Sequence, residues 1–64
     1  MYDLLRTVAT TLLKENAEHV TTRDIWSEGM KFTHHTIQTD DEIVDLIYDD
    51  QDRLDKIQIL VGKQ

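Results

Sequence analysis

The sequence predicts a mainly α-helical domain with a small β component: three helices and then one short strand, in a single domain spanning residues 1–64. Three observations predict it. Leu5, Val8, Ala9, Leu12 and Leu13 recur at helical spacing. Thr21 stands three residues before Asp24, and Thr39 three before Glu42, the spacing with which a hydroxyl and a carboxylate cap a helix start. Ile57-Gln58-Ile59-Leu60-Val61 is short, alternating and rich in β-branched residues, as a strand requires.

Taken in order, the first helix is expected over Tyr2–Asn16, with Asp3 capping its first turn and Asn16 stopping it. Glu18 to Thr21 reads as an extended connector that turns Val20 inward. The second helix is expected over Thr22–Glu28, presenting Ile25 and Trp26, with Gly29 suited to the left-handed residue beyond its end. Residues 30–38 show no clear period and read as a loop that buries Phe32 and Ile37. The third helix is expected over Thr39–Asp50, with Ile43, Val44, Leu46 and Ile47 as its apolar stripe, and the strand over Ile57–Val61. This is the order of a winged helix. Only Gly62, Lys63 and Gln64 remain for a second wing strand, so the wing is expected to be truncated, or completed by a second copy or another chain.

Composition narrows the function. A chain of 64 residues buries only about 60% of the surface it exposes when unfolded, so its core is small. The absence of cysteine removes disulfides and thiolate zinc sites and fits a reducing cytoplasm. No apolar run approaches the ~20 residues of a membrane span, and the first residues lack the pattern of a secretory signal. Beginning at Met1, the chain reads as a complete short protein.

The net charge of −6 is unevenly placed. Between residues 40 and 55, Asp40, Asp41, Glu42, Asp45, Asp49, Asp50, Asp52 and Asp55 face Arg53 alone, a net of −7. On a third helix, Asp41, Asp45, Asp49 and Asp52 fall close to one stripe, with Asp50 beside it. Like charges at that spacing destabilise a helix, and acids near its C-terminus oppose the dipole. The plain reading is a solvated face that keeps the chain in solution. The functional reading is a docking helix, Asp41, Asp45, Asp49, Asp50 and Asp52, for the basic surface of a protein partner. The alternative, a dimeric winged-helix DNA-binding regulator, would use Arg6, Lys14, Arg23 and Lys31, which are dispersed among acids, whereas DNA binders concentrate cations.

Leu5 to Glu15, the run Val20-Thr21-Thr22-Arg23-Asp24-Ile25, and Asp41 to Ile59 together resemble the HARE-HTH winged-helix domain of the bacterial RNA polymerase delta subunit. In the last stretch, Ile43, Ile47 and Tyr48 precede an acidic turn and an apolar strand. The resemblance implies a winged-helix fold and contact with transcription machinery, RNA polymerase or another nucleic-acid enzyme; it brings no catalytic residues.

Other constellations are weaker. His34 and His35 are adjacent, and His19 is distant, so they read as loop histidines and not as metal ligands. Trp26, with Phe32, Tyr2 and Tyr48, reads first as the anchor of the core and second as a recognition patch. No cysteine, phosphate-binding glycine loop or G-x-S-x-G serine context is present, so neither an enzyme nor a cofactor is expected. The expectation is a small acidic adaptor or inhibitor of nucleic-acid machinery.

Overall fold

A computed structural model of the chain describes residues 2–62. One helix precedes a four-stranded antiparallel meander: α1 (Tyr2–Glu15), a single 3-10 turn (Ala17–His19), β1 (Val20–Ser27), β2 (Met30–Gln38), β3 (Ile43–Tyr48) and β4 (Leu54–Val61). The strands lie in chain order, so β1 and β4 are the two outer strands.

The first helix forms where its apolar spacing places it. Asn16 ends it by folding back: its backbone N–H and its side-chain amide both donate to the Leu12 carbonyl, at 3.1 and 2.8 Å. The Asp3 cap, and the place of Tyr2 among the aromatics, concern side chains outside the described set.

The mainly helical expectation is wrong beyond Asn16. The second expected helix, Thr22–Glu28, is strand β1; its Thr, Ile and Trp residues are strand formers whose side chains suit a pleated surface. The expected loop at 30–38 is β2. The third expected helix, Thr39–Asp50, is a tight loop followed by β3. The capping hydrogen bond at Thr39 does form, but inside that loop: the Glu42 N–H donates to Thr39 Oγ1 at 3.2 Å, and the Thr39 N–H donates to the Glu42 carbonyl at 2.9 Å. A cap interaction spans four residues and cannot by itself tell a helix start from a turn. Neither a winged helix nor a helix-turn-helix is formed. The strand expected at Ile57–Val61 is present as part of β4, and all of it but Leu60 is paired on one side with β3.

The pairing register sorts every strand residue to one face. Val20, Ile37, Val44 and Ile59 form one row across the sheet, and His35, Leu46 and Ile57 form the next. These rows lie on the helix side of the sheet. Ala9, Ile37 and Leu46 form the buried core, with Leu12, Leu13, Val44 and Ile57 packed against it. The opposite face carries Arg23, Ile25, Phe32, His34, Asp45 and Ile47 and has no second layer among the described residues.

The helix packs most closely on β4, while Val20, at the start of β1, packs against the core. Seven of the eight β1 residues are exposed. The first hairpin therefore projects past the helix. Its two-residue turn, Glu28-Gly29, has positive φ at both positions, 53° and 79°. Positive φ at both central residues is what a type I′ hairpin turn demands, and its twist matches that of the flanking strands.

Candidate protein-interaction surface

The five acids expected to share one helical stripe are separated by the sheet. Asp41 sits in the loop between β2 and β3, at the end of the sheet where the helix finishes. Asp49, Asp50 and Asp52 belong to the loop between β3 and β4, at the opposite end. Asp45 lies between them in β3 and is 5% exposed. The docking helix does not exist, and Asp45 is not available to a partner. Acidic charge instead collects at both ends of the sheet: Glu15, Glu18, Asp40, Asp41 and Glu42 where the helix ends, and Glu28, Asp50, Asp52 and Asp55 at the hairpin tips.

Two of the acids hold the fold. Asp45 accepts from His34 Nδ1 at 2.9 Å and from the Thr36 hydroxyl at 2.8 Å, both on β2. A carboxylate can only accept, so the proton of the His34 ring lies on Nδ1. An alternating strand tolerates a buried acid at this position because the neighbouring strand supplies both donors. Asp49 organises its loop: Oδ1 accepts from the backbone N–H groups of Gln51 and Arg53, and Oδ2 from Arg53 Nε, each at 2.9 Å. The backbone N–H of Arg53 foremost holds the Asp49 carboxyl below the usual carboxylate range. At the end of β3, burial raises the Tyr48 phenol above its ordinary value, and the charge of Arg6 offsets part of that rise.

His34 and His35 are strand residues, and strand alternation points them to opposite faces. His34 joins Asp45, while His35 lies under the helix with Nδ1 2.9 Å from the Thr22 hydroxyl and its ring edge-on to Tyr48 at 5.3 Å. Among the described residues no group of three or more His, Asp or Glu is placed to hold a metal ion. An oriented Asp–His pair can serve as a general base where a nucleophile meets the histidine. Here the nearest bonded hydroxyl, Thr36, is spent on the same carboxylate, so the cluster works as a clamp between β2 and β3.

Of the cations of the DNA-binding alternative, the exposed Arg6 and Lys14 border one depression on the helix. Arg23 and Lys31 lie on opposite faces of the sheet, Arg23 on the uncovered face of β1 and Lys31 on the helix side of β2. With no recognition helix behind them, they form no basic stripe.

What the sequence reading missed is the apolar tip of the first hairpin. Trp26 is 69% exposed and is no part of the core. It stands at the tip on the helix side, beyond the helix itself. On the other face Ile25 and Met30 are exposed and Phe32 half-buried, and Ile25 and Phe32 border a shallow depression with Ile47 and His34. The signal was available: Trp26-Ser27-Glu28-Gly29-Met30 places a glycine in a two-residue turn between strand-forming residues.

Comparison with protein-family models, with curated proteins and with solved structures finds no match to this chain. No helix among the described residues is long and apolar enough to cross a membrane.

Proposed function

We propose that this chain is a small acidic protein-binding adaptor or inhibitor, without catalytic activity, that docks the tip of its first hairpin on a basic protein partner. The observation that carries the reading is Trp26, 69% exposed on a strand with seven of its eight residues exposed. Tryptophan and methionine are enriched at protein interfaces, and tryptophan is among the residues that most often form binding hot spots. The chain exposes this group while its buried acid, Asp45, is used internally by His34 and Thr36. That division fits binding better than chemistry.

The net charge of −6 supplies the sign of the partner. A negative field speeds encounter with basic surfaces and slows encounter with nucleic acid. Proteins that handle nucleic acid, RNA polymerase among them, present such surfaces, so transcription or related machinery is the natural target class, met in the cytoplasm. Acids at both ends of the sheet steer the encounter, and the hairpin tip provides the anchor.

The test is affinity capture from the native host, eluted on a salt gradient, with the native chain and Trp26→Ala side by side. The reading expects a basic partner that leaves the native chain as salt rises and that Trp26→Ala fails to hold, with the variant's melting temperature unchanged. Equal capture by both chains would contradict it.

A further inference from the structure

The two outer strands differ in how they treat their free edges. Natural sheets discourage edge pairing with charges and bulges. β1 follows this rule, with Arg23 and Asp24 at its middle. When an antiparallel edge pairs with its own copy about a two-fold axis, opposed residues must share a face. The two central β1 registers therefore set Arg23 against Arg23, or Asp24 against Asp24, and directly opposed like charges are destabilising.

β4 differs in where its charges lie, although both irregularities of the β3–β4 pair fall on it, one near each end. Its charges, Asp55 and Lys56, lie in its first half, and Ile57-Gln58-Ile59-Leu60-Val61 carries none. Ile59, Leu60 and Val61 are all exposed, Ile59 at 67%. Between two irregularities, Lys56–Ile59 forms a regular ladder with β3, whose residues Ile47, Leu46, Asp45 and Val44 oppose it in turn. Beyond it, Leu60 is the extra residue of a bulge, because Ile59 pairs with Val44 and Val61 with Ile43.

We propose that β4 is the seam of a homodimer, in which two copies join edge to edge about a two-fold axis at Gln58. In that register Ile57 lies opposite Ile59 of the second copy, Gln58 opposite Gln58, and Lys56 opposite Leu60. No like charges meet. Ile57 and Ile59 of both copies form one apolar patch on the helix side, which covers the most exposed large hydrophobic residue of the strand. The axis stands perpendicular to the sheet, so both helices lie on the same side of a continuous eight-stranded sheet, twice the four of one chain. The helix already lies closest to β4, which brings the two helices side by side above the seam. The β1 hairpins with Trp26 end up at the far edges, free for another partner, so this inference does not depend on the proposed docking role.

The chain contains no cysteine, which makes a register-specific cross-link possible. Directly opposed residues in an antiparallel pair have Cα atoms about 4.5 or 5.5 Å apart, inside the range of ~4.4–6.8 Å that a disulfide spans. Under mild oxidation Gln58→Cys is expected to convert almost completely to a covalent dimer of about 15 kDa, twice the 7.5 kDa chain. Thr21→Cys, exposed on the β1 edge, is expected to remain monomeric, and adding Ile59→Lys to Gln58→Cys is expected to abolish the cross-link. Sedimentation of the native chain is expected to give the dimer mass at micromolar concentration, and Ile59→Lys the monomer mass with an unchanged circular dichroism spectrum. A monomer mass for the native chain up to millimolar concentration, or equal cross-linking at positions 21 and 58, would overturn the seam. A monomeric chain that still loses its partner on Trp26→Ala would remove the dimer alone and leave the docking reading standing.

Discussion

His34 and Asp45 meet across the β2–β3 pair with Nδ1 donating to Oδ2 at 2.9 Å, on the face of the sheet that the helix does not cover. The contact is diagonal, since the residue directly opposite His34 is Ile47 and the one opposite Asp45 is Thr36. Thr36 completes the cluster. Asp45→Ala strands two donors at once and is expected to cost about 1–3 kcal/mol in urea unfolding, the usual penalty for a buried polar group left unpaired. Asp45→Asn keeps one acceptor oxygen and is expected to cost less. Equal stability of Asp45→Ala and the native chain would show that the clamp contributes nothing.

The core offers a harder test, because it is so small. Leu46 is fully buried, and its neighbours Ala9 and Ile37 complete the buried cluster. Leu46→Ala is expected to cost about 2–5 kcal/mol. Small domains are stable by only ~5–15 kcal/mol, and a chain of this length belongs at the low end, so a large unfolded fraction at ambient temperature is expected by circular dichroism. Cooperative, native-like melting of this variant would mean that the sheet is held by something other than the helix-side core.

The first hairpin turn can be tuned in both directions. Glu28 sits at φ 53° with a side chain that gains nothing there. Asparagine tolerates this region better, so Glu28→Asn is expected to stabilise the chain by about 0.5 kcal/mol, and Gly29→Val at φ 79° to destabilise it by about 1–2 kcal/mol. The two melting temperatures check this; movement in the same direction would contradict the turn geometry.

The Asp49 loop and Tyr48 mark the two ends of the pH range. Because hydrogen bonds depress the folded pKa of Asp49, its contribution is complete above the unfolded carboxylate value of about 4 and is lost as pH falls through the lower folded value. Amide exchange at Gln51 and Arg53 is expected to accelerate in that acid window, and Asp49→Ala to show fast exchange there already at neutral pH. Tyr48 has the opposite sign: its folded pKa is raised, so its contribution holds below about 10 and is lost as pH rises through the higher folded value. Absorbance titration of the phenols with and without Tyr48→Phe checks this.

The sequence was legible where one period ruled. In α1 the spacing of Leu5, Val8, Ala9, Leu12 and Leu13 allowed no other reading, and the alternation in Ile57–Val61 marked a strand. The middle of the chain misled for physical reasons. Ile43-Val44-Asp45-Leu46-Ile47-Tyr48 is apolar on both faces of a strand except at Asp45, so it showed no alternation, and its acid made sense only beside His34 and Thr36, eleven and nine residues away. Thr39 and Glu42 made the contact that their spacing promised, but in a loop. The acidic stripe was an artefact of the wrong period: with a strand repeat of two, the same aspartates scatter over two loops and one buried site. Trp26 was assigned to the core because a lone tryptophan in a small domain usually belongs there, and it is exposed because it stands at the hairpin tip, next to the turn.

The proposed docking role requires Trp26 to be solvent-exposed in the free chain, as it is in the fold, and to become buried by the partner. As the only tryptophan, it reports on both states without a label. Quenching of its fluorescence by acrylamide, before and after addition of the captured partner, is the most direct measurement. The account predicts full quenching in the free chain and marked protection in the complex. A tryptophan already shielded in the free chain, or one still fully quenched in the complex, would contradict it.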